Sequence, residues 1–512
     1  MEETGNKTIA KNTLILYMRS IIMMLIGLFT SRVILDTLGI TDFGVYNAVC
    51  GVMALTGIIS ASLSNATSRF ITFSIGRGIQ EEANRTFANI KAIYYVLAFV
   101  FTILGETIGL WFLYHYLVIP PDRIGAATWV FHFSVASCFL SLICVPYNSA
   151  IVAHERMAAF AYISIFDVSF KLLVAYLLYI SPVDKLILYA SLLFGIGILK
   201  RIIYTVYCRK RFEEVRVRPK IDKQQFKEIL AFAGWTLNGN IAWMGYTQGL
   251  NILLNMFFGP VVNAARGVAL QVQGIITQFI TNFQTALNPQ LTKNYAANNL
   301  ERMHQLLHFG TKFSFFLLLL LTLPVFFEAP FVLSIWLVEV PDYTVSFLQL
   351  ILVHSLLETI SNPLNISIHA TGNIRKFQII EGSMLLTIVP ISYICLKYGH
   401  SSPSSVFIVL IIVQGLTNIA RILIVLPQIK DSITTYIHQV LLPIISVCIL
   451  APILPCIAFM CIYDPILNFF VVCIISIFSV VVFTILCGLT SNERELLMNK
   501  ILLLKNKYGQ NL

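Results

Sequence analysis

Two arginines stand at matching places in two similar segments of the sequence. Arg32 precedes Gly39 by about seven residues, and Arg266 follows Gly259 by about the same distance, each inside an apolar stretch. Two guanidinium groups facing one cavity would hold a phosphate through bidentate, charge-assisted hydrogen bonds. The alternative for Arg32 is a self-neutralising structural ion pair with Asp36, which lies one helical turn away.

Other charged residues interrupt apolar stretches, where each costs about 2.5–3.5 kcal/mol near the bilayer centre and so needs a partner or a cavity. Asp167 and Lys171 are four residues apart, which predicts either a neutralised pair or a site coupled to protons or cations. Glu106 and Glu358 have no assigned partner and are candidates to hold a proton. The full set of candidates for substrate contact or ion coupling is Arg19, Asp36, Glu106, Asp167, Lys171 and Glu358. Three charged residues near cytoplasmic ends could instead extend to the interface: Arg19, Glu381 and Arg421.

A stripe of small and polar residues runs along one face of a later apolar stretch. Its spacings of three and four residues are those of one helix face. Its members are Gly267, Gln271, Gly274, Gln278 and Asn282, and the preceding stretch adds Gln248, Asn251 and Asn255. Uncharged amides suit a cavity wall that contacts sugar hydroxyls, but small and polar residues also join helices to each other, and both interpretations stay open.

The elements that must position these residues are transmembrane helices. Hydrophobic residues make up 57% of the 512 residues and charged residues 12%, against about 25% charged in a soluble domain. The apolar residues come in blocks of about twenty, the length of helix that crosses a hydrocarbon core. We therefore predict an all-α polytopic membrane protein with about fourteen transmembrane helices. The predicted spans are residues 14–35, 43–66, 92–117, 125–152, 157–181, 186–208, 229–258, 261–288, 309–337, 345–369, 377–398, 405–428, 436–462 and 467–488.

Charge placement and an internal repeat predict the topology. Most of the 35 basic residues fall on one side of the predicted membrane, and three (Arg123, Lys185 and Lys397) fall on the other, which places both termini in the cytoplasm. Three landmarks recur at offsets of about 220 residues: the two glycines named above, Lys91 with Lys312, and two Pro-x-Asn turns at 146–148 and 363–365. Two parallel-repeat six-helix lobes with a substrate path between them are expected. The predicted division is an N-terminal lobe at 1–208, a basic cytoplasmic linker at 209–228, a C-terminal lobe at 229–428, helices 13 and 14 at 429–490, and a cytoplasmic tail at 491–512.

Several function classes are disfavoured. The sequence has no GxxxxGK[ST] motif for its own ATPase, no cluster of metal-ligand residues and no catalytic constellation, so we predict a transporter without cofactor or metal rather than an enzyme. The excess of positive charge follows membrane topology, so nucleic acid is not expected as a partner.

Two segments carry a resemblance to a known family. Residues 31–47 (SRVILDTLGITDFGVYN) resemble the opening of the oligosaccharide flippases of the polysaccharide transporter family, within the multidrug, oligosaccharidyl-lipid and polysaccharide (MOP) exporter superfamily. Residues 258–267 (FGPVVNAARG), with 288–290 (NPQ) and 370–372 (ATG), look like later segments of the same family.

The resemblance implies a MATE-like pair of lobes around a cationic cavity that opens alternately to the two sides. It implies a flippase that carries undecaprenyl-pyrophosphate-linked oligosaccharide across the bacterial inner membrane for O-antigen, capsule or exopolysaccharide assembly. Arg32 and Arg266 are similar in placement to arginines that lipid II flippases use for pyrophosphate, and the last two helices look like those that hold the lipid tail. Expected partners are this substrate, membrane lipids, coupling protons or cations, and other polysaccharide-assembly proteins. The alternatives are a multidrug/cation antiporter of the same superfamily and a glycan polymerase or ligase.

Overall fold

Helices make up every regular element of the computed structural model, which describes residues 2–116, 119–337, 340–490 and 493–495. By length and composition, eleven helices of that part are long and apolar enough to cross a membrane. The prediction of an all-α polytopic membrane protein is confirmed.

The helices follow the apolar blocks of the sequence. Their bounds are α1 Glu2–Gly76, α2 Gln80–Leu104, α3 Leu110–Tyr116, α4 Ile124–Ala153, α5 Met157–Leu177, α6 Lys185–Arg211, α7 Lys223–Ala296, α8 Leu300–Phe327, α9 Ala329–Trp336, α10 Thr344–Thr371, α11 Arg375–Leu386, α12 Ile388–Gly399, α13 Ser405–Gln428, α14 Ile433–Tyr436, α15 Leu442–Leu450, α16 Ile453–Cys461 and α17 Pro465–Phe483. Short π-helical turns at Gly105–Gly109, Ile437–Leu441 and Thr484–Gly488 continue α2, α14 and α17 without a break.

Each of the fourteen predicted spans coincides with helical residues in the described part of the chain, and three of them are outside the eleven apolar helices. Two of the three, residues 229–258 and 261–288, form the two arms of α7 and carry the predicted amide stripe, which lowers their apolar content. The third, residues 43–66, includes many side chains that lie outside the described ones.

Two glycines bend the two longest helices in the same way. Gly39 in α1 has φ 76° and ψ 168°, and Gly259 in α7 has φ 79° and ψ −173°. Only glycine adopts this combination of positive φ and extended ψ without strain, so each glycine divides its helix into two arms. The matched landmarks of the sequence thus have matched backbone conformations.

The chain divides into two compact units, one formed by residues 1–241 with 292–299 (unit 1), and the other by 242–291 with 300–512 (unit 2). The chain crosses from one unit to the other twice within α7 and once between α7 and α8. The division into lobes, linker and extra helices predicted from the sequence stays a prediction, and most of the predicted tail, 491–512, lies outside the described residues.

Each unit is built around its own apolar core. In unit 1, Val49 on α1, Val130 and Phe131 on α4 and Leu186 on α6 are fully buried against each other. In unit 2, a larger cluster joins α7, α10 and α13 and includes the fully buried Phe347. Outward-facing Ile412, Leu416, Ile419 and Leu423 on α13 are exposed at helical spacing, which is the pattern of a face that contacts lipid.

The two recurring lysines are both buried and both bind a segment distant in the sequence. Lys91 is buried in unit 1, and its Nζ donates to the carbonyls of Val217 at 2.9 Å and Val215 at 3.4 Å in the segment after α6. Lys312 is buried in unit 2, and its Nζ contacts Glu493 at 2.5 Å, beyond the end of α17. A buried ammonium is tolerated here because each has oxygen acceptors.

Candidate functional site

Arg266 lies in unit 2, on the second arm of α7. Its side chain is buried, with 7% of its surface exposed. One guanidinium nitrogen donates to Asn251 Oδ1 at 3.1 Å, and another donates to the backbone carbonyl of Thr247 at 3.0 Å. Both acceptors lie on the first arm, so the bend at Gly259 brings the two arms together around the guanidinium.

The charge of Arg266 has no counter-charge among the residues that the structure describes. Its two acceptors are neutral, and its buried Nε has no hydrogen-bond partner in that same part of the chain. Burying a charged group without an opposite charge is costly, since hydrogen bonds to neutral groups replace only part of its hydration. The arrangement is therefore complementary to an anion.

Arg421 shows how the same chain treats a buried arginine that is fully paired. It is 4% exposed, and its Nε donates to Glu381 Oε1 at 3.0 Å, while a second nitrogen donates to Ser361 and Asn418 at 2.7 Å each. Glu381 is 8% exposed. The expectation that Arg421 and Glu381 extend to the interface is wrong, because the two charges neutralise each other inside unit 2.

The other arginine of the predicted pair can be placed only by its backbone. Arg32 lies in the first arm of α1, and its side chain is outside the described ones. Asp36 is exposed and accepts a hydrogen bond from the hydroxyl of Tyr179. The choice between a phosphate ligand and an Arg32–Asp36 pair therefore stays open, and the predicted arginine pair stays a prediction.

Asp167 and Lys171 form the ion pair that their spacing indicates, and a third residue joins them. Asp167 Oδ2 lies 2.8 Å from Lys171 Nζ, and Asp167 Oδ1 lies 3.2 Å from Lys200 Nζ. Sequence reasoning missed Lys200, although it stands eleven residues before the end of α6 at Arg211 and so well within the helix. The three side chains border a cavity of ≈ 470 Å³ inside unit 1.

The remaining candidates for substrate contact or coupling make other contacts in the described residues. Glu106 is on the π-helical turn and contacts His132 Nδ1 at 2.8 Å. Arg19 donates to Ser164 Oγ at 3.3 Å and stacks its guanidinium 4.5 Å from the Phe160 ring centre. The half-buried Glu358, on α10 in unit 2, follows the buried His354 by one turn.

The residues of the predicted amide stripe differ in their exposure. Four amides are exposed on unit 2: Gln248, Asn255, Gln271 and Gln278. Asn251 is half-buried and holds Arg266.

For Asn282 the prediction of a position on a polar cavity wall needs correction. Asn282 is 3% exposed, and its Oδ1 accepts a hydrogen bond from Gln278 at 3.4 Å. At its level α7 packs against α8 and α10, as the bonds from Gln284 Nε2 to Ser314 Oγ (3.2 Å) and to the Thr359 carbonyl (3.4 Å) show. Asn282 therefore belongs to the packing of unit 2 and not to an open wall.

No family model matches this chain, and no curated protein matches its sequence. Solved structures match its fold. A MATE in complex with MaD3S is 15% identical with a TM-score of 0.72, and the match covers 83% of this chain and 96% of that one. A MOP superfamily transporter from Pyrococcus furiosus, described by the reverse polarity of its binding pocket, is 15% identical with a TM-score of 0.68 over the same shares of the two chains. An outward-facing multidrug resistance MATE transporter of the MOP superfamily is 15% identical with a TM-score of 0.69, and the match again covers 83% of this chain and 96% of that one.

These likenesses show the fold. The chain is a multi-pass membrane protein with the fold of the MATE transporters of the MOP superfamily.

Proposed function

We propose that this protein is a flippase that turns a polyprenyl-pyrophosphate-linked oligosaccharide across the bacterial inner membrane by alternating access. The observation that carries the proposal is Arg266, a buried guanidinium held by neutral acceptors within α7, whose two arms are predicted to span the membrane. A pyrophosphate cannot cross about 30 Å of hydrocarbon unaided, whereas its polyprenyl tail can stay in lipid. A cation without a fixed counter-charge provides the missing partner for the head group.

The position of Arg266 is fixed before any ligand binds. Asn251 and Thr247 orient two of its nitrogens, and the guanidinium keeps further N–H groups for a phosphate oxygen. Hydrogen bonds between charged groups contribute about 1.5–3 kcal/mol each. Arg32, on the first arm of α1 and seven residues from its glycine bend as Arg266 is from its own, is proposed as the second ligand of the pyrophosphate.

The exposed amides of unit 2 support an oligosaccharide as the rest of the substrate. Gln248, Asn255, Gln271 and Gln278 are exposed on the two arms of α7. Amides directed at hydrocarbon would lose their hydrogen bonds with water, so we assign them to water and sugar hydroxyls. Carboxamides both donate and accept, as sugar hydroxyls do.

The polymer is proposed to be O-antigen, capsule or exopolysaccharide, with both termini of the flippase in the cytoplasm and other assembly proteins as partners. Coupling to protons or cations is proposed at Asp36, Glu106, Asp167 or Glu358. Asp167 is the least suited of these, because two lysines already neutralise it.

The test is flipping by variants of the two arginines. Arg266→Ala and Arg32→Ala are reconstituted in liposomes that contain a lipid-linked oligosaccharide, and its transfer between leaflets is measured. Loss of one charge-assisted bond to the pyrophosphate predicts at least about a tenfold slower transfer. Arg77→Ala, at an exposed arginine paired with Glu82, is the matched control and should flip normally.

Two results would contradict the proposal. One is full transfer by both variants at normal protein levels. The other is the absence of transfer by the wild-type chain together with drug or cation exchange in the same vesicles, which would identify the antiporter alternative.

A further inference from the structure

The cavity in unit 1 lies level with the middle of α5, a helix long and apolar enough to cross a membrane, and four helices line it. Its volume is ≈ 470 Å³, within the range of about 300–1,000 Å³ typical of small-ligand sites. Asp167, at its border, is ten residues from either end of α5, Met157–Leu177. The other walls come from α1 at Tyr46 and Cys50, from α4 between Phe133 and Cys144, and from α6 between Ala190 and Lys200.

The ionisable groups of this cavity carry one net positive charge. Among its lining residues in the described part of the chain, Lys171 and Lys200 are cationic and Asp167 is anionic. The neighbouring Arg201 is not among the lining residues, and it donates to the Ile143 carbonyl at 2.7 Å and to the Tyr147 hydroxyl at 3.2 Å. One ammonium in excess at this depth is costly unless an anion joins it.

The lysines are more open than the carboxylate between them. The side chains of Lys171 and Lys200 are 43% and 28% exposed, whereas that of Asp167 is 16% exposed. A ligand entering the cavity therefore meets the ammonium groups first. Each ammonium has three donors and Asp167 takes one from each, so both can bind a second acceptor.

A row of serines lines the cavity wall that α4 forms. Ser134, Ser137 and Ser141 line the cavity from α4, and their spacing of three and four residues places them on one helix face. Serine hydroxyls donate and accept hydrogen bonds, which matches a ligand with several hydroxyls of its own, and Ser134, which donates to the Val130 carbonyl at 2.7 Å, can accept one. Phe133 and Leu193 supply apolar wall, so charged, polar and apolar surface are all present.

From this arrangement we infer that the cavity of unit 1 binds a monoanionic polyhydroxylated ligand, namely a sugar that bears a carboxylate. A carboxylate balances the single excess charge, whereas a phosphate group with a charge of about −1.5 to −2 would leave the cavity negative. The serine row receives the sugar hydroxyls. The carboxylated sugar is either a free molecule or one residue of a lipid-linked head group, and the chemistry of recognition is the same for both.

The test measures binding and does not depend on the proposed flipping. Radiolabelled D-glucuronate is bound to the full chain in lipid nanodiscs and followed by scintillation proximity, with unlabelled D-glucose and chloride as competitors. We expect one saturable site at which glucose competes at least tenfold more weakly than unlabelled glucuronate and equimolar chloride does not compete. Equal competition by glucose, or displacement by equimolar chloride, would overturn the inference.

Variants separate ligand binding from a merely structural ion triad. Lys200→Gln should weaken glucuronate binding at least tenfold, whereas Asp167→Asn should strengthen it several-fold, because both ammonium groups are then released for the ligand. Lys397→Gln, a lysine of unit 2 bonded to Tyr393, changes the net charge equally and should leave binding unchanged. A structural triad predicts instead that Asp167→Asn weakens binding as much as Lys200→Gln does, and that result would overturn the inference.

A variant without a charge change covers the case in which Lys200→Gln does not fold. Ser137→Val adds bulk to the cavity wall and should abolish glucuronate binding, while Arg266-dependent flipping of a lipid-linked oligosaccharide without a uronic acid persists. Unchanged binding in this variant would overturn the inference.

Competition by lipid-linked oligosaccharides then separates the two sources. Displacement of glucuronate only by a head group with a uronic acid assigns the site to the lipid-linked substrate, and displacement by neither head group assigns it to the free sugar. Equal displacement by a head group without a carboxylate would contradict the inference.

Discussion

Two buried arginines of unit 2 should respond in opposite ways to the same substitution. Arg266 and Arg421 are both nearly inaccessible, yet Arg421 is neutralised by Glu381 and Arg266 is held by neutral acceptors. Methionine keeps much of the length of the arginine side chain and removes the charge. We therefore compare Arg266→Met with Arg421→Met.

The expected magnitudes follow from what each substitution leaves behind. Arg421→Met leaves Glu381 buried without its counter-charge, and breaking a buried pair in this way costs about 3–5 kcal/mol. Arg266→Met leaves one amide and one carbonyl oxygen with one partner fewer, about 1 kcal/mol each. Relief of the burial of an unneutralised guanidinium, which is several kcal/mol, offsets that loss. The stability of Arg266→Met should therefore equal or exceed that of the wild type.

The assay is reversible unfolding by SDS titration of the protein in mixed micelles, with Glu381→Leu/Arg421→Met as a control that removes both charges. The double variant should recover most of the stability that Arg421→Met loses. An equal loss of stability in Arg266→Met and Arg421→Met would refute the reasoning, because it would mean that Arg266 is neutralised in the folded protein. An Arg266→Met variant that is stable and does not flip would mark the residue as functional rather than structural.

Three further outcomes are expected in the same titration. Gly259→Ala should lose about 1–3 kcal/mol, because its φ of 79° with extended ψ is a conformation that only glycine adopts without strain; wild-type stability would contradict the bend. Gly76→Ala should lose about 1–3 kcal/mol through overpacking, since a Cβ there would lie 2.9 Å from the Cα of Lys293; an increase in stability would contradict this close approach. Burial raises the pKa of Glu214, but the hydrogen bond and the charge of His154 together lower it by more than burial raises it. The pKa of Glu214 therefore lies below its ordinary value of 4.5. The stability from Glu214 is therefore complete above about pH 4.5 and is lost as the pH falls through the lower folded pKa; Glu214→Gln should remove this acid-sensitive part, and an unchanged pH profile would exclude it.

Local features of the fold could be predicted from the sequence because they depend on nearby residues. Apolar blocks of about twenty residues become helices in lipid whatever their neighbours are. Gly39 and Gly259 could be matched because the residues around them are similar. The pairing of Asp167 with Lys171 follows from the geometry of a single helix.

Features that depend on contacts between helices could not be predicted. Lys200 joins Asp167 from α6, 33 residues later, and no spacing rule connects them. Glu381 meets Arg421 across two helices, although each alone has the sequence position of a residue that extends to the interface. Asn282 has the spacing of the exposed stripe, but α8 and α10 cover α7 at its level.

The segment after α6 is bound to unit 1 by side-chain contacts and is not a free linker. Lys91 holds the carbonyls of Val215 and Val217, and His154 contacts Glu214 at 2.6 Å. The basic residues that follow in the sequence therefore start from a segment with a fixed position, unlike the charges of an unfolded chain. A fluorescent protein inserted between residues 214 and 217 would break these contacts with unit 1. The segment is therefore a poor place for a genetic fusion despite its polar sequence.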